Sequence, residues 1–297
     1  MHSRFFNEAV LKVRIRPQTP LLIKAGGEGA AAVDPTVPDM SFVRTRRPDG
    51  GETVYIPGSS LRGVLRAHAE RLVRSVRWDM ACDPLARGLC EVPTMKTACS
   101  WDTELDLTTY RTKICYACRL FGTTGLASRV RVSDLYPQDN PTCQRRSGVA
   151  IDRVTGAVAQ GPFDLEVVTD GIFEGVITLR NFTLGQLGLL GATLLDVADG
   201  LVPLGFGKSK GFGRVHLLVE RISVRTLRDP EGALLGVGAI CDQSTREVFC
   251  PPPAERERLP VSATVRRERG FYVIDSEGDD ARRWLEEAVP RWVEELL

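Results

Sequence analysis

Residues 55–78 read YIPGSSLRGVLRAHAERLVRSVRW, a pattern that predicts an amphipathic helix. Its apolar residues recur at three- and four-residue steps, so a helix places them on one buried face; they are Leu61, Val64, Leu65, Leu72, Val73 and Val76. Ser59 or Ser60 is a natural N-cap after Pro57-Gly58. Three arginines fall largely off the buried face: Arg62, Arg66 and Arg74.

Strand patterns lie on both sides of this helix and far from one another in the sequence. Residues 10–16 alternate apolar and basic side chains, which is typical of a half-buried strand. Further strands are predicted at 163–168, 175–182 and 215–227, and a glycine-rich helix at 184–201. Sequence-distant strands with few long helices indicate an α+β fold rather than a doubly wound sheet.

The composition is that of an ordinary soluble globular protein. The chain has 297 residues, of which 43% are hydrophobic and 26% charged, and its length suits one elaborated domain or two. No stretch approaches the roughly 20 apolar residues of a membrane span, and the N-terminus has no apolar signal core. We therefore expect a cytoplasmic protein without a membrane partner.

Charge is distributed unevenly, although the net charge is only +1. Residues 40–80 carry eight arginines against four acids, whereas residues 268–297 carry nine acids against four arginines. This asymmetry predicts one face for a polyanion and another for a different partner. Ordinary solvated faces are the alternative interpretation.

A glycine-rich segment, PLGFGKSKGFGR, occupies residues 203–214. A Walker A loop would need its first glycine at Val202, and a dinucleotide fingerprint would need its third at Lys210, so both nucleotide motifs fail. The remaining pattern predicts a flexible cationic loop that contacts phosphate through Gly205, Gly207, Lys208, Lys210, Gly211 and Gly213. A tight turn before the strand at 215–219 is the alternative.

Eight cysteines in a chain with no export signal favour metal ligands or free thiols over disulfides. Cys115 and Cys118 form a C-x-x-C pair, and Cys82 and Cys90 are predicted to complete a tetrahedral zinc site. Cys99 competes for one of these places. Such a shell leaves no open position, so the predicted zinc is structural; reduced thiols are the alternative.

Candidates for catalysis are few. His2, His68 and His216 are each predicted to be structural, since one is terminal, one lies mid-helix and one alternates within a strand. Asp34 and Asp39 lie in a loop pattern with no burial to explain them. A loop aspartate can hold a divalent metal against a phosphate or orient a nucleophile, or it can simply shape a turn.

Three motifs in this order resemble the RAMP superfamily of CRISPR-associated proteins: YIPGSSLRGVLRAHAER, SGVAIDRVTGAVAQGPFDLEVV and LGFGKSKGFGRV. The chain looks most like a backbone subunit of a type III effector complex, of the zinc-bearing type III-D-like variety. The resemblance implies one RAMP domain over 1–297 with a ferredoxin-like, RRM-related core. It also implies four partners: a guide CRISPR RNA, a complementary target RNA, copies of the same chain and other effector subunits.

The resemblance also implies roles for particular residues. Ser59, Ser60, Arg62 and Arg66 at the helix start would contact the guide backbone, beside the glycine-rich loop. Asp34 would cut target RNA: the 2′-hydroxyl attacks the adjacent phosphate and leaves a 2′,3′-cyclic phosphate, with Mg²⁺ or Mn²⁺ assisting. Asp39 is expected to keep the loop's shape.

Three segments are expected to lie outside the minimal core: a zinc-binding insertion at 79–125, a thumb-like segment at 145–162 and a helical extension at 276–297. The thumb would insert between guide–target base pairs. The extension's apolar side is predicted to dock on a neighbouring subunit, with packing into its own core as the alternative, and Pro290 is predicted to kink it or start a second helix.

Two other functions stay open at this point. The chain could be a structural subunit of the same complex that binds RNA without cutting it. It could also be a guide-processing endoribonuclease, although the usual histidine general base has no good candidate here.

Overall fold

The computed structural model describes residues 4–25, 38–47, 50–82, 114–123 and 125–297. The strands are β1 (Asn7–Pro17), β2 (Arg44–Arg46), β3 (Glu52–Val54), β4 (Val130–Val132), β5 (Tyr136–Pro137), β6 (Thr142–Ile151), β7 (Val158–Asp170), β8 (Phe173–Arg180), β9 (Val215–Thr226), β10 (Ala233–Leu235), β11 (Arg258–Pro260), β12 (Val265–Glu268) and β13 (Phe271–Glu277). The α-helices are α1 (Gly58–Val76), α2 (Tyr116–Phe121), α3 (Leu184–Ala198), α4 (Val237–Ile240), α5 (Gln243–Phe249) and α6 (Gly278–Leu296). None of these described helices is long and apolar enough to cross a membrane.

One antiparallel sheet organises the fold. Its strand order is β12-β13-β9-β1-β8-β4, with β5 also paired to β8. Within it, β9-β1-β8-β4 with α1 after β1 and α3 after β8 forms the βαββαβ arrangement of a ferredoxin-like core. The predicted α+β class with a ferredoxin-like core is confirmed.

Alternation along β1 explains why the helices cover one face of this sheet. Ala9, Leu11, Val13 and Ile15 are fully buried on the helical side, because successive strand residues point to opposite faces. The residues between them are polar or partly exposed. The predicted strand at 10–16 is thus confirmed within the longer β1.

The opposite face of the sheet carries ion pairs between neighbouring strands. Lys12 Nζ lies 3.1 Å from a carboxylate oxygen of Glu220, and Arg14 bonds the other oxygen at 2.6 Å. Glu8, only 3% exposed, accepts hydrogen bonds from Arg180 Nε at 2.7 Å and Arg225 Nε at 2.6 Å. Opposite charges on adjacent strands therefore compensate one another.

Helix α1 confirms the predicted apolar face but not the predicted cap. It begins at Gly58 after Pro57, and neither Ser59 nor Ser60 makes a capping hydrogen bond. Instead the Gly58 N–H donates to Asp134 Oδ1 at 2.8 Å. A Cβ at this position would lie 2.3 Å from a β4 backbone oxygen, so glycine is required. The serine cap prediction is wrong because a distant aspartate takes that role.

The C-terminal helix α6 packs on α3 of the same chain. A Cβ on Gly188 would lie 2.1 Å from the Ala288 carbonyl oxygen, so small residues on α3 allow the two backbones to approach closely. Trp284, Leu285 and Trp292 are buried in the main core. The prediction that this apolar side docks on a neighbouring subunit is therefore wrong, and the alternative of core packing holds.

Pro290 lies inside α6, which continues from Gly278 to Leu296 as one helix. The predicted start of a second helix at this proline is wrong.

Residues 241–260 contain α5 and β11 and bring a buried acid to the start of α3. Glu257, 1% exposed, accepts hydrogen bonds from Leu184 N at 2.9 Å and Gly238 N at 3.1 Å. Burial, with the nearby charge of Glu295, raises the pKa of Glu257 to about 8. Burial also raises the pKa of Glu295, which accepts from Thr183 Oγ1 at 2.7 Å.

Candidate functional site

Three cysteines meet beside helix α1. Cys82 Sγ lies 3.3 Å from Cys115 Sγ and 3.5 Å from Cys118 Sγ, and all three sulfurs lie within 4.8 Å of one another. Cys115 is the N-cap of α2, and its sulfur accepts a hydrogen bond from Cys118 N at 3.4 Å. The C-x-x-C pair and Cys82 are thus brought together as predicted.

This cluster fits three corners of a tetrahedral zinc site, because its sulfurs converge at non-bonded separation and not at the roughly 2.05 Å of a disulfide. Within the described ranges it is the one group of three or more His, Cys, Asp or Glu side chains placed to hold a metal ion. Cys90 and Cys99 lie outside the described residues, so the fourth ligand stays a prediction.

The arginines of α1 reach toward these cysteines. Arg62 donates to the Phe121 carbonyl at the end of α2. Arg66 donates to the Gly122 carbonyl at 3.0 Å and to Cys118 Sγ at 3.4 Å. Burial, reinforced by the charge of Arg66, lowers the pKa of Arg62. Both side chains, predicted to contact guide RNA, therefore already have partners within the chain.

The glycine-rich loop is held by backbone hydrogen bonds. Phe206 N donates to Leu22 O at 2.7 Å, and Gly213 N donates to Pro20 O at 2.9 Å. Gly205 and Gly213 have φ of 75° and 84°, and a Cβ on Gly213 would lie 1.9 Å from the Leu204 carbonyl oxygen. The loop is thus anchored to the segment after β1, with Lys208–Lys210 forming a 3₁₀ turn at its tip.

The two lysines of this turn are exposed. Lys210 Nζ lies 5.1 Å from the centre of the Phe163 ring at the base of the β6–β7 hairpin. Partial desolvation of its ammonium, together with the charge of Arg71 on α1, lowers the pKa of Lys208 although the residue is exposed. Among the described residues neither lysine forms an ion pair.

Strands β6 and β7 form a two-stranded hairpin of 10 and 13 residues. From residue 142 to 162 all positions are exposed except Gly148 and Asp152, which are half-buried. Asp152 Oδ1 accepts from Val154 N and Thr155 N at 2.8 Å each, and these bonds lower the pKa of Asp152. Apolar side chains near the tip are exposed: Val149, Ile151, Val154 and Val158.

Of the two loop aspartates, Asp39 is described and Asp34 lies outside the described residues. Asp39 Oδ2 accepts a hydrogen bond from Asp164 N at 2.7 Å, which ties the loop to β7. This contact agrees with the expectation that Asp39 keeps the loop's shape.

His68 and His216 occupy different environments. His68 Nε2 lies 2.5 Å from Asp196 Oδ2, so the pair links α1 to α3. His216 is exposed in β9, and His2 lies outside the described residues. His68 accordingly has the structural contact that the sequence predicts.

The family model of the RAMP superfamily matches residues 14–216, more than half of the chain. The chain belongs to the RAMP superfamily. The RAMP match includes α1, the three cysteines, the hairpin and the glycine-rich loop, and it ends before α6. It makes the protein a CRISPR-associated RNA-binding subunit. No match was found among curated proteins.

Two features of this RAMP protein were missed from the sequence. Asp134, which caps α1, lies in a segment with no periodic pattern. Arg74 donates to the Cys82 carbonyl at 2.8 Å and so helps to hold a cysteine. The four-residue spacing of Arg62, Arg66, Glu70 and Arg74 was a signal that these side chains share one helix face.

Proposed function

We propose that this RAMP protein is a guide-RNA-binding backbone subunit of a type III effector complex that pairs guide with target RNA and cleaves the target. The observation that carries the proposal is the anchored glycine-rich turn, whose two exposed lysines lie beside the base of an exposed hairpin. Copies of the chain and other effector subunits would line up along the guide as partners.

The glycine-rich turn supplies the guide contact. Exposed ammonium groups without a carboxylate partner attract phosphate without regard to base sequence. This suits a protein whose sequence specificity comes from the guide and not from its own side chains. Ser59 and Ser60 extend the surface at the start of α1, where Ser59 is exposed. Asp134 already accepts from the first amide there, so the serine hydroxyls are the better phosphate donors.

The hairpin supplies the target contact. Its apolar tip residues are exposed with respect to the described part of the chain, and Val154 is 89% exposed. Apolar side chains of this kind can wedge between stacked bases and separate them. The segment 145–162 is therefore proposed as the thumb of a single RAMP domain spanning 1–297, with 276–297 as a helical extension that closes its own core.

Cleavage is assigned to Asp34 through the family resemblance. The target 2′-oxygen forms a bond to the adjacent phosphorus, the bond from phosphorus to the 5′-oxygen breaks, and the products are a 2′,3′-cyclic phosphate and a 5′-hydroxyl. Asp34 would orient the attacking hydroxyl or help to hold Mg²⁺ or Mn²⁺, which when bound neutralises charge on the phosphate.

The cysteine cluster is proposed as a structural zinc centre within an insertion at 79–125. Cys82, Cys115 and Cys118 would ligate the metal together with Cys90, or with Cys99 in its place. Four thiolates close the shell, so the metal would crosslink the chain and take no part in the chemistry. A structural zinc here would fit the type III-D-like variety that the sequence resembles.

The deciding experiment compares wild type with Asp34→Ala in the reconstituted complex, using labelled guide-complementary RNA with Mg²⁺ or Mn²⁺. Asp39→Asn serves as the matched loop control. Wild type should give regularly spaced cuts that Asp34→Ala abolishes while RNA binding is unchanged. Equal cutting by both would place the nuclease elsewhere, and binding without cutting by either would make the chain a scaffold.

A further inference from the structure

One face of α1 carries a row of charged residues at four-residue steps. Arg62, Arg66, Glu70 and Arg74 follow one another along this row, and all four lie at least partly buried. Residues four apart on a helix lie above one another. The row therefore presents a continuous polar strip to whatever packs on that side of the helix.

The whole strip is directed at the cysteine segments. Arg62 bonds the Phe121 carbonyl, and Arg74 bonds the Cys82 carbonyl at 2.8 Å. Between them Glu70, which is 8% exposed, pairs with Arg66 Nε at 2.8 Å and with Arg74 Nη2 at 3.4 Å. The two outer arginines thus hold backbone on both sides of the metal-binding cluster.

Arg66 differs from its neighbours because it contacts a cysteine sulfur itself. Its Nη2 donates to Cys118 Sγ at 3.4 Å, its Nη1 to Gly122 O at 3.0 Å and its Nε to Glu70. The three bonds use the fixed fork of a guanidinium, which a lysine ammonium cannot reproduce. The geometry therefore orients one N–H group at a single metal-ligating sulfur.

A cluster of thiolates around a divalent metal carries net negative charge, and Cys115 and Cys118 are buried. Negative charge in a buried site is destabilising unless a cation or hydrogen-bond donor compensates it. Arg66 supplies both a positive charge and a donated hydrogen bond, and Glu70 keeps its guanidinium in place.

We propose that Arg66 is a positioning residue of the metal centre, which stabilises the metal-bound state by hydrogen-bonding the Cys118 thiolate. The inference rests on the zinc centre under "Proposed function" and removes Arg66 from the RNA-contacting set. Since Arg62 and Arg74 belong to the same strip, metal binding also fixes α1, whose first residues border the proposed guide surface.

The test measures metal binding by the purified full-length chain. Co²⁺ replaces zinc as a spectroscopic probe, and zinc affinity follows from competition with a chelator. Arg66→Met should weaken affinity about 10- to 100-fold, as is usual when a hydrogen-bond partner of a metal ligand is lost. It should also shift the thiolate-to-cobalt absorption band to lower energy, because a thiolate without its donor gives up electron density more easily.

Arg71→Met is the matched control, since Arg71 is exposed on the same helix. It should leave the band in place and the affinity within about twofold of wild type. If Arg66→Met fails to fold, Arg66→Lys decides, with an expected band shift and a smaller loss of affinity. An Arg66 variant with wild-type affinity and an unshifted band would overturn the proposal. Weaker affinity without a band shift would also overturn it, because the loss would then come from the Gly122 contact and not from the bond to the Cys118 sulfur.

The same measurements distinguish failure of the proposed zinc centre from failure of the proposed role of Arg66. Wild type that shows no thiolate-to-cobalt band, and Cys118→Ser that behaves identically, would remove both the centre and the role of Arg66. A normal wild-type band that does not change in the Arg66 variants would remove only the role of Arg66 and leave the metal centre in place.

Discussion

Two pairs of cationic residues, both predicted from the sequence to contact RNA, differ in their exposure and in their partners. Arg62 and Arg66 are half-buried and donate to carbonyl and sulfur acceptors around α2. Lys208 and Lys210 are exposed at the tip of an anchored turn and have no carboxylate partner among the described residues. Positive charge in the sequence is therefore not equivalent to a free cation on the surface.

The difference follows from side-chain chemistry as well as position. A guanidinium has several fixed donors, so it can satisfy a cluster of carbonyls at the end of a short helix. An ammonium is a strongly hydrated point charge and is favoured where water or phosphate surrounds it. The half-buried arginines link α1 to the end of α2, whereas the exposed lysines are the pair proposed to contact phosphate.

The largest expected effect comes from a substitution among the cysteines beside the half-buried arginines. Cys118→Ser removes a proposed metal ligand and the sulfur partner of Arg66. Because metal binding contributes directly to folding, the melting temperature should fall by roughly 10 °C or more, with loss of bound zinc. Differential scanning calorimetry and metal analysis measure both. Cys143→Ser, at an exposed cysteine of β6, should change neither; equal behaviour of the two variants would contradict the metal centre.

The next effect tests whether two acids near α2, the buried Glu257 and the half-buried Glu295, respond to pH. Glu257 and Glu295 have raised pKa values in the folded chain, so they bind protons that the unfolded chain releases above its ordinary carboxyl pKa. The contribution of Glu257 to stability is full below about pH 4.5 and is lost as the pH rises toward about 8. The contribution of Glu295 is lost in the same direction as the pH rises. Glu295→Gln should reduce this loss, because it removes one of the two carboxyls and also the charge that helps to raise the pKa of Glu257.

Urea unfolding at a series of pH values measures that slope. Glu294→Gln is the control, since Glu294 is exposed and pairs with Arg291. Comparing the two variants cancels the pH dependence of the cysteines. Parallel slopes for the two variants would show that Glu295 is not protonated in the folded chain.

A smaller effect is expected from the exposed lysines of the glycine-rich turn. Replacing Lys208 and Lys210 together with alanine should weaken binding of single-stranded RNA about tenfold at low salt. The slope of log affinity against log salt should fall by about 1.4, since each lost phosphate contact removes about 0.7. Fluorescence anisotropy measures both, and the melting temperature should not change. An unchanged salt slope would mean that the turn does not contact phosphate.

The smallest effect returns to Arg62. Arg62→Met leaves the Phe121 carbonyl without its donor, so the free energy of unfolding should fall by about 1 kcal/mol. RNA affinity should stay within about twofold of wild type. If Arg62→Met instead lost as much RNA affinity as the lysine variant and kept its stability, Arg62 would be an RNA contact and not a structural residue.

The parts of the fold that depend on local pattern could be predicted from the sequence. Alternation in β1, the apolar face of α1 and the C-x-x-C pair each signal their structure within a few residues. The partners of Arg62 and Arg66 could not be predicted, because they lie more than fifty residues away at the end of α2. The capping role of Asp134 was hidden for the same reason.

The packing partner of α6 could be predicted only in part. Its amphipathic pattern predicts an apolar face but not what covers it. The available signal was on α3, where Gly185, Gly188 and Gly191 recur at three-residue steps and leave room for a second backbone. A small-residue strip on one helix and an apolar strip on another favour each other as partners within one chain.

The central pairing of the sheet has a consequence for how the chain folds. Ile15 pairs with Phe173 and Asn7 with Thr226, so the middle of the core closes very long loops. The entropy of closure grows only logarithmically, by about 0.6 kcal/mol for each doubling of loop length. Extra segments between core elements therefore cost little at equilibrium. They slow the search for the native pairing instead, because folding rates fall as contacting residues become more distant in sequence.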